Sequence, residues 1–320
     1  MRFSGIGAAA VALPVVFAVA VASGANAAPT PSCAQVIGQF EAAMKAGVKQ
    51  EAVNGFYAVA SEPACPSRDS EDARAKLVDF LVDYAAGHGS EASASIELAE
   101  RIVTVSGNWR GKSRIADWYG AHNALPRSVQ WYQRAALDLA TATPKPSDKE
   151  RQDLATKLGG VQALASNDHE GKERGIALPP MRDAGGGLAG IYGPGFNSRG
   201  AIVIKRPIPV QFVYDQAVPT ELGRQTIAEM VEVAKKFGDA GEMTLVGHAD
   251  PRGAPDHNME LSRRRVLFVR EEMQRQQVKA KITVLWKGAT EEFDWQVLPN
   301  ASGLSQEDRW QLDRRVEAVW

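Results

Sequence analysis

The sequence carries almost no excess charge of either sign. Its 320 residues include 37 lysines and arginines against 38 aspartates and glutamates, a formal net charge of −1. Because nonspecific binding to nucleic acid needs a basic surface, this balance argues against a nucleic-acid partner. The hydrophobic content of 44% with 23% charged residues is typical of globular proteins, and the length suffices for two domains with separate cores.

Long apolar runs are also missing, except at the N-terminus. Residues 1–27 contain one arginine, an apolar stretch and the small-residue site Ala25-Asn26-Ala27, which predicts a cleaved secretory signal peptide and export to the periplasm. An uncleaved membrane anchor stays open as the alternative, because the run approaches the length of a membrane span. No later run is long enough, so we expect no transmembrane segment after signal cleavage.

Cysteine is nearly absent, with Cys33 and Cys65 the two that occur. In an exported protein, two cysteines most simply form one disulfide. A catalytic thiol is disfavoured because neither a CxxC pair nor a neighbouring histidine is present. Cys33 follows Thr-Pro-Ser, which does not suit lipoprotein processing, so a lipid anchor is not expected.

Signatures of catalysis are missing as well. We find no nucleophile elbow and no paired-carboxylate pattern, and the Gly- and Pro-rich stretch around 178–201 is not closed by Gly-Lys-Ser/Thr. This stretch therefore predicts a linker rather than a phosphate-binding loop. The predicted organisation is a helical domain at 28–170, a linker at 171–201 and a second domain at 202–320.

The helical domain is predicted from apolar residues repeated at intervals of three and four. Within it, Ile115–Ala140 resembles a tetratricopeptide or Sel1-type helical hairpin, with aromatic pairs and small residues where two helices would meet. An irregular helical bundle remains the alternative. In either case we expect this domain to present a surface to another envelope protein.

The second domain has a different texture. Its segments predict the order β-α-β-α-β-β, with helices packed on a small mixed sheet, so the fold class is α followed by α/β. In the second of its helices, Leu261, Val266, Val269 and Met273 form one apolar stripe at 100° per residue. Arg265 falls inside this stripe, where an unpaired cation would be costly, so we expect an anion beside it.

Asp250 is the expected companion of Arg265. It follows the carboxyl end of the strand before that helix, the edge at which open α/β sheets bind ligands. A direct salt bridge between the two is one interpretation. The other is a zwitterionic amino acid, whose ammonium meets the carboxylate and whose carboxylate meets the guanidinium.

The same residues resemble the OmpA-like peptidoglycan-binding family over about Ile204–Trp320. The matching pieces are Phe212-x-Tyr214-Asp215-x-Ala217, Gly247-His248-Ala249-Asp250-x-x-Gly253, Asn258-x-x-Leu261-Ser262-x-x-Arg265, Lys287-Gly288 and Arg314-Arg315-Val316-Glu317. The resemblance implies binding of the diaminopimelate of the peptidoglycan stem peptide. It assigns the ammonium to Asp250, the carboxylate to Arg265, loop-shaping or a hydrogen bond to Asn258, and a supporting role to Arg314 or Arg315, of which we take Arg315.

Four further residues are expected to shape the pocket: Tyr214, Asp215, His248 and Leu261. Three positions depart from the family pattern, namely Ala249 for threonine, Val266 for alanine, and Trp286 before the Lys-Gly pair. These departures keep both charged residues but leave the affinity for the ligand open.

A metal site is the rival interpretation of this stretch. His248, Asp250, Asp256 and His257 could supply zinc ligands, although no helical H-x-x-x-H spacing or catalytic base accompanies them. We therefore expect no cofactor, no metal and no enzymatic activity, and a cell-wall-associated protein of the periplasm. A scaffold of a secretion or motor complex and a metal-dependent wall-processing enzyme are the alternatives, and contact with the outer membrane stays open.

Overall fold

The computed structural model describes residues 31–172, 205–238 and 241–319. The predicted signal peptide at 1–27 and most of the predicted linker at 171–201 lie outside the described residues. Among the helices that are described, none combines the length and apolar character needed to cross a bilayer.

Seven helices follow one another in the first described range. They are α1 (Cys33–Ala46), α2 (Lys49–Ser61), α3 (Ser67–Gly87), α4 (Ala92–Thr104), α5 (Trp109–Ala121), α6 (Leu125–Thr141) and α7 (Asp148–Ser166). Packing between neighbours is most extensive in the pairs α1–α2, α3–α4 and α5–α6. The helical character of this half is confirmed, whereas its likeness to tetratricopeptide repeats stays a prediction.

Local signals in the sequence explain where several of these helices begin. The Ser32 and Ser147 side chains each accept a hydrogen bond from the backbone N–H three residues on, and the Gln35 and Glu150 side chains accept one from the backbone N–H of the cap residue. These reciprocal bonds satisfy backbone groups that a helix start leaves without partners. The Cys33–Cys65 disulfide is confirmed, and it ties the first turn of α1 to the connection between α2 and α3.

The aromatic residues of α5 and α6 lie in the helical core. Tyr119, Trp131 and Tyr132 are buried, and their polar atoms find acidic partners on neighbouring helices. The Trp131 indole N–H donates to Glu100 at 2.8 Å, and the Tyr132 hydroxyl donates to Asp117. A buried aromatic ring keeps its packing energy only when its polar tip is paired in this way.

The second described part contains a four-stranded sheet, three α-helices and two short 3-10 helices, Trp295–Val297 and Ala301–Gly303. Its elements are β1 (Lys205–Gln211), α8 (Glu221–Phe237), β2 (Glu242–Gly247), α9 (Pro255–Arg275), β3 (Lys281–Trp286), α10 (Gln306–Asp313) and β4 (Arg315–Val319). The strand order is β1-β4-β2-β3, with β2 and β3 parallel and the other pairs antiparallel. The predicted fold class is confirmed, and the short α10 is an additional element before the last strand.

Close backbone contact holds α9 against the sheet. A Cβ added to Gly247 would lie 2.3 Å from the Ser262 carbonyl oxygen, so only glycine fits at this end of β2. The Ser262 hydroxyl lies between two backbones, since it donates to the Met259 carbonyl and accepts from the Gly288 N–H. Three pieces of the sequence motif therefore contact one another here: Gly-His-Ala-Asp, Leu-Ser and Lys-Gly.

The helical half contacts the sheet-containing part through α7. The Gln311 side chain on α10 donates to the carbonyls of Ala163 and Asn167 at 2.8 and 3.0 Å. After α7, the Glu170 carbonyl accepts from the Tyr214 N–H at 2.8 Å. Gly171 has φ +80° and approaches the backbone of residues 212 and 213 closely. The last residues of the helical half therefore touch the loop that follows β1.

Candidate functional site

A small pocket opens where β2 ends and α9 begins. Its volume is about 100 Å³, and it is lined by Tyr214, Asp215, Asp250, Arg252, Gly253, His257, Asn258, Leu261 and Arg265. The loop after β1 supplies one wall, the residues after β2 supply the acid, and the first turns of α9 supply the other wall. This volume suits the charged end of a ligand rather than a whole sugar or peptide.

Arg265 projects into this pocket from the buried side of α9. Leu261, Val266, Val269 and Met273 are all buried, and Arg265 is fully buried among them. Helical spacing therefore places the guanidinium as expected. The neighbouring Arg264 is exposed.

The guanidinium of Arg265 is held by backbone carbonyl groups. Its Nε donates to Gln216 at 3.0 Å, its Nη1 to His248 at 3.0 Å and its Nη2 to Val213 at 3.2 Å. Burial, together with the nearby charge of Arg314, lowers the pKa of Arg265 to about 9. Three of five N–H groups are used, so two remain for an anion.

Asp250 lies three residues beyond β2 and is nearly buried. It forms no direct ion pair with Arg265 in the described structure. Its Oδ2 instead accepts from Arg252 Nη2 at 2.7 Å and Arg314 Nη1 at 3.4 Å. Its Oδ1 accepts from the backbone N–H and the Nε of Arg252 at 3.2 and 3.1 Å.

The other predicted residues of the pocket lie around its rim and floor. Asn258 is buried in the first turn of α9, and Leu261 is buried one turn further on. Asp215 has φ +53° and lies at the exposed mouth of the pocket. Its Oδ1 accepts a hydrogen bond from His257 Nε2 at 2.6 Å. The structure thus brings Tyr214, Asp215, Asp250, Asn258, Leu261 and Arg265 together, as the sequence pattern predicts.

Two predicted site residues lie elsewhere. His248 and Arg315 are not among the residues that line the pocket. Arg315 begins β4, and its side chain points to the opposite face from that of the adjacent Arg314. Arg315 pairs with Glu317 at 2.6 Å and Asp313 at 3.5 Å, and His248 lies 3.8 Å from Glu317. Arg314, the alternative to Arg315, is the closing arginine that reaches Asp250.

Charge interactions in this second cluster are strong. Burial works to raise the pKa of Glu317, but Arg315 and His248 outweigh it and lower the value to about 2. Burial lowers the pKa of His248 and raises that of Asp313 to about 6. We read this cluster as the internal pairing of charges beneath the sheet, since no lining residue of the pocket belongs to it.

Sequence reasoning missed one residue that lines the pocket, Arg252, and one that packs against it, Trp310. Arg252 occupies one of the unspecified positions between Asp250 and Gly253, and Trp310 lies on α10. The guanidinium carbon of Arg252 is 3.9 Å from the Tyr214 ring centroid and 5.0 Å from that of Trp310. The D-x-x-G piece could have drawn attention to Arg252, whereas nothing in the sequence points to Trp310.

Two other kinds of site are relevant here, a metal site and a second groove. Within the described ranges, no group of three or more His, Cys, Asp or Glu side chains is arranged to hold a metal. A larger groove of about 360 Å³ lies between α8 and α9, and most of its surface is apolar. Its lining includes Ile227, Val231 and Phe268 together with the charged side chains of Arg224, Glu232 and Glu272.

Comparison with known proteins gives a distant and partial similarity. No protein-family model matches the chain, and no curated protein matches it. Among solved structures, it is similar to the peptidoglycan-associated lipoprotein from Burkholderia pseudomallei, at 19% sequence identity and a TM-score of 0.30. The similarity covers 35% of this chain and 87% of that chain. Similarity at this level establishes neither a shared function nor a shared site.

Proposed function

We propose that this chain is a noncatalytic protein of the cell envelope that binds peptidoglycan through the diaminopimelate of the stem peptide. The observation that supports this is the pocket itself, in which an acid and a buried arginine face one cavity without pairing to each other. A zwitterionic amino acid offers the two complementary charges on one carbon atom.

The two charged residues have separate roles in this proposal. Asp250 accepts the ligand ammonium at the end of β2. Arg265 donates its two remaining N–H groups to the ligand carboxylate, while the carbonyl groups of the surrounding loops fix its orientation. Because the guanidinium is weakly hydrated and already held in place, it loses little entropy when it binds a carboxylate.

In this proposal the pocket tethers the helical half to the cell wall. Through α7 it is joined to the sheet-containing part, and a wall-bound pocket would hold it at the peptidoglycan layer. We propose that the surface of α1 to α6 binds a second envelope protein, in the periplasm. The binding is reversible, because charged hydrogen bonds rather than a covalent bond hold the ligand.

The proposal is tested with the full chain and two forms of ligand. We expect the protein to cosediment with diaminopimelate-containing peptidoglycan, and a soluble stem tripeptide ending in diaminopimelate to compete for it. Asp250→Asn and Arg265→Lys should each weaken tripeptide binding by about 30-fold or more, which corresponds to about 2 kcal/mol for one member of a buried charge pair.

Asp153→Asn is the matched control, since Asp153 is exposed on α7 far along the chain from the pocket. Thermal unfolding identifies any variant that loses its fold. The proposal is refuted if the unmodified chain neither sediments with peptidoglycan nor binds the tripeptide. It is also refuted if folded Asp250→Asn and Arg265→Lys bind as tightly as the control.

A further inference from the structure

The carboxylate of Asp250 is saturated by groups of its own chain. Its two oxygens accept four hydrogen bonds, three from Arg252 and one from Arg314. A carboxylate offers about four acceptor positions. A ligand ammonium therefore cannot reach Asp250 unless one of the present donors leaves.

Arg252 is the donor that can leave. The Arg314 side chain is 1% exposed, so it is fixed by its surroundings, whereas that of Arg252 is 28% exposed. The backbone N–H of residue 252 stays whatever the side chain does. A rotation of the Arg252 side chain would free one acceptor position on each oxygen of Asp250, while the backbone N–H of residue 252 and Arg314 keep theirs.

The place that Arg252 fills has the chemistry of a cation site. Its guanidinium lies against Asp250, over the Tyr214 ring and close to the Trp310 ring. Aromatic faces attract cations of any kind, and a neighbouring carboxylate adds a charged hydrogen bond. Tyr214 is 38% exposed, so this site opens to solvent.

We infer that the Arg252 guanidinium occupies the ammonium subsite of the pocket, formed by Asp250, Tyr214 and Trp310, and that a primary ammonium binds by displacing it. The inference rests on the proposed function, because it assigns the ligand amine to this pocket. It makes Arg252 a specificity-determining residue, since a ligand must carry an amine able to compete with a guanidinium already in place.

Removing the competitor should tighten binding. We expect Arg252→Gln to bind the diaminopimelate tripeptide about five-fold more tightly than the unmodified chain, the factor that corresponds to loss of a partly exposed ion pair. Arg264→Gln is the control, because it removes the same charge from an exposed position on α9. It should leave the dissociation constant within two-fold of the starting value.

A second ligand tests whether Arg252→Gln tightens binding by vacating the ammonium subsite or by altering the pocket as a whole. The same tripeptide with the side-chain amine of diaminopimelate acetylated cannot enter a cation site. For this ligand we expect weak binding to both proteins and no gain from Arg252→Gln. Calorimetric titration with the full chain measures all four pairings, and a thermal unfolding scan confirms that each variant is folded.

The outcomes are distinct. Weaker or unchanged binding of the free-amine tripeptide by folded Arg252→Gln overturns the inference and leaves the proposed function intact, because Arg252 would then contact the ligand or take no part. Equal tightening for both tripeptides also overturns it. If no protein binds either tripeptide or peptidoglycan, the proposed function fails, and the inference fails with it.

Discussion

The carboxyl group of Asp313 provides a test of the electrostatics beneath the sheet. Asp313 ends α10 and is 4% exposed. Burial raises its pKa from 3.8 to about 6, although a hydrogen bond from the Phe293 N–H at 2.7 Å and the charge of Arg315 both oppose the change. The folded protein therefore holds this proton more tightly than the unfolded chain does.

The sign of the effect follows from that difference. Between pH 6 and 3.8 the folded state binds more protons at Asp313 than the unfolded state, so this residue stabilises the fold increasingly as the pH falls. A shift of about two units corresponds to about 3 kcal/mol in full. Lowering the pH from about 7.5 to 5.0 realises about 1.4 kcal/mol of it, since pH 5.0 lies about one unit below the folded pKa.

Other buried groups titrate in the opposite sense, so the comparison must be made between variants. The lowered pKa of His248 means that its stabilising contribution is lost as the pH falls through 6.5, and that of Glu317 is lost below 4.5. These contributions are common to the unmodified chain and to Asp313→Asn. The difference in free energy of unfolding between the two proteins therefore reports Asp313 together with its coupling to Arg315 and the groups that Arg315 pairs with.

Urea unfolding at about pH 7.5, 6.0 and 5.0 measures that difference. We expect the unmodified chain to gain about 1.4 kcal/mol relative to Asp313→Asn over this range. Asp294→Asn, at an exposed position in the preceding segment, should show no such gain. A difference that is independent of pH, or a loss of stability of the unmodified chain relative to Asp313→Asn toward pH 5.0, would refute the assignment of a raised pKa to a buried carboxyl group.

Two further predictions concern the framework of the fold. Gly247→Ala should lower the free energy of unfolding by about 2–3 kcal/mol, because the new Cβ would press on the Ser262 carbonyl. Denaturant unfolding measures this change. A decrease below about 0.5 kcal/mol would contradict the close contact. Replacing Cys33 and Cys65 by alanine should cost about 3–4 kcal/mol, since the disulfide spans 32 residues of sequence. Addition of a reductant should destabilise the unmodified chain to the same extent and leave the double variant unchanged.

The sequence predicts those parts of the molecule whose cause is local. Periodicity predicts that Arg265 lies on the buried side of α9, and the structure shows it there. The short α10 was missed although Ser305 and Asp308 form a capping box before it. Eight residues give too little periodicity to distinguish a helix from a loop. The capping box is therefore the only signal in the sequence that could have predicted α10.

The environment of the site residues depends on contacts that no local pattern encodes. Two of the three carbonyls that hold Arg265 come from residues 213 and 216, about 50 positions earlier in the chain. The choice between Arg314 and Arg315 depends on where β4 begins, because a shift of one residue turns each side chain to the other face. The position of Arg252 depends on contact with Trp310 from α10, a helix that is not predicted from the sequence.

The hydrogen bond between Glu170 and Tyr214 has a mechanical consequence. It joins the last turn after α7 to the loop whose Val213 and Gln216 carbonyls hold Arg265. Under the proposed function, tension from a protein bound to α1–α6 would reach the ligand pocket through this short backbone path. The lifetime of such an attachment under force would then depend on this connection as well as on the affinity at rest.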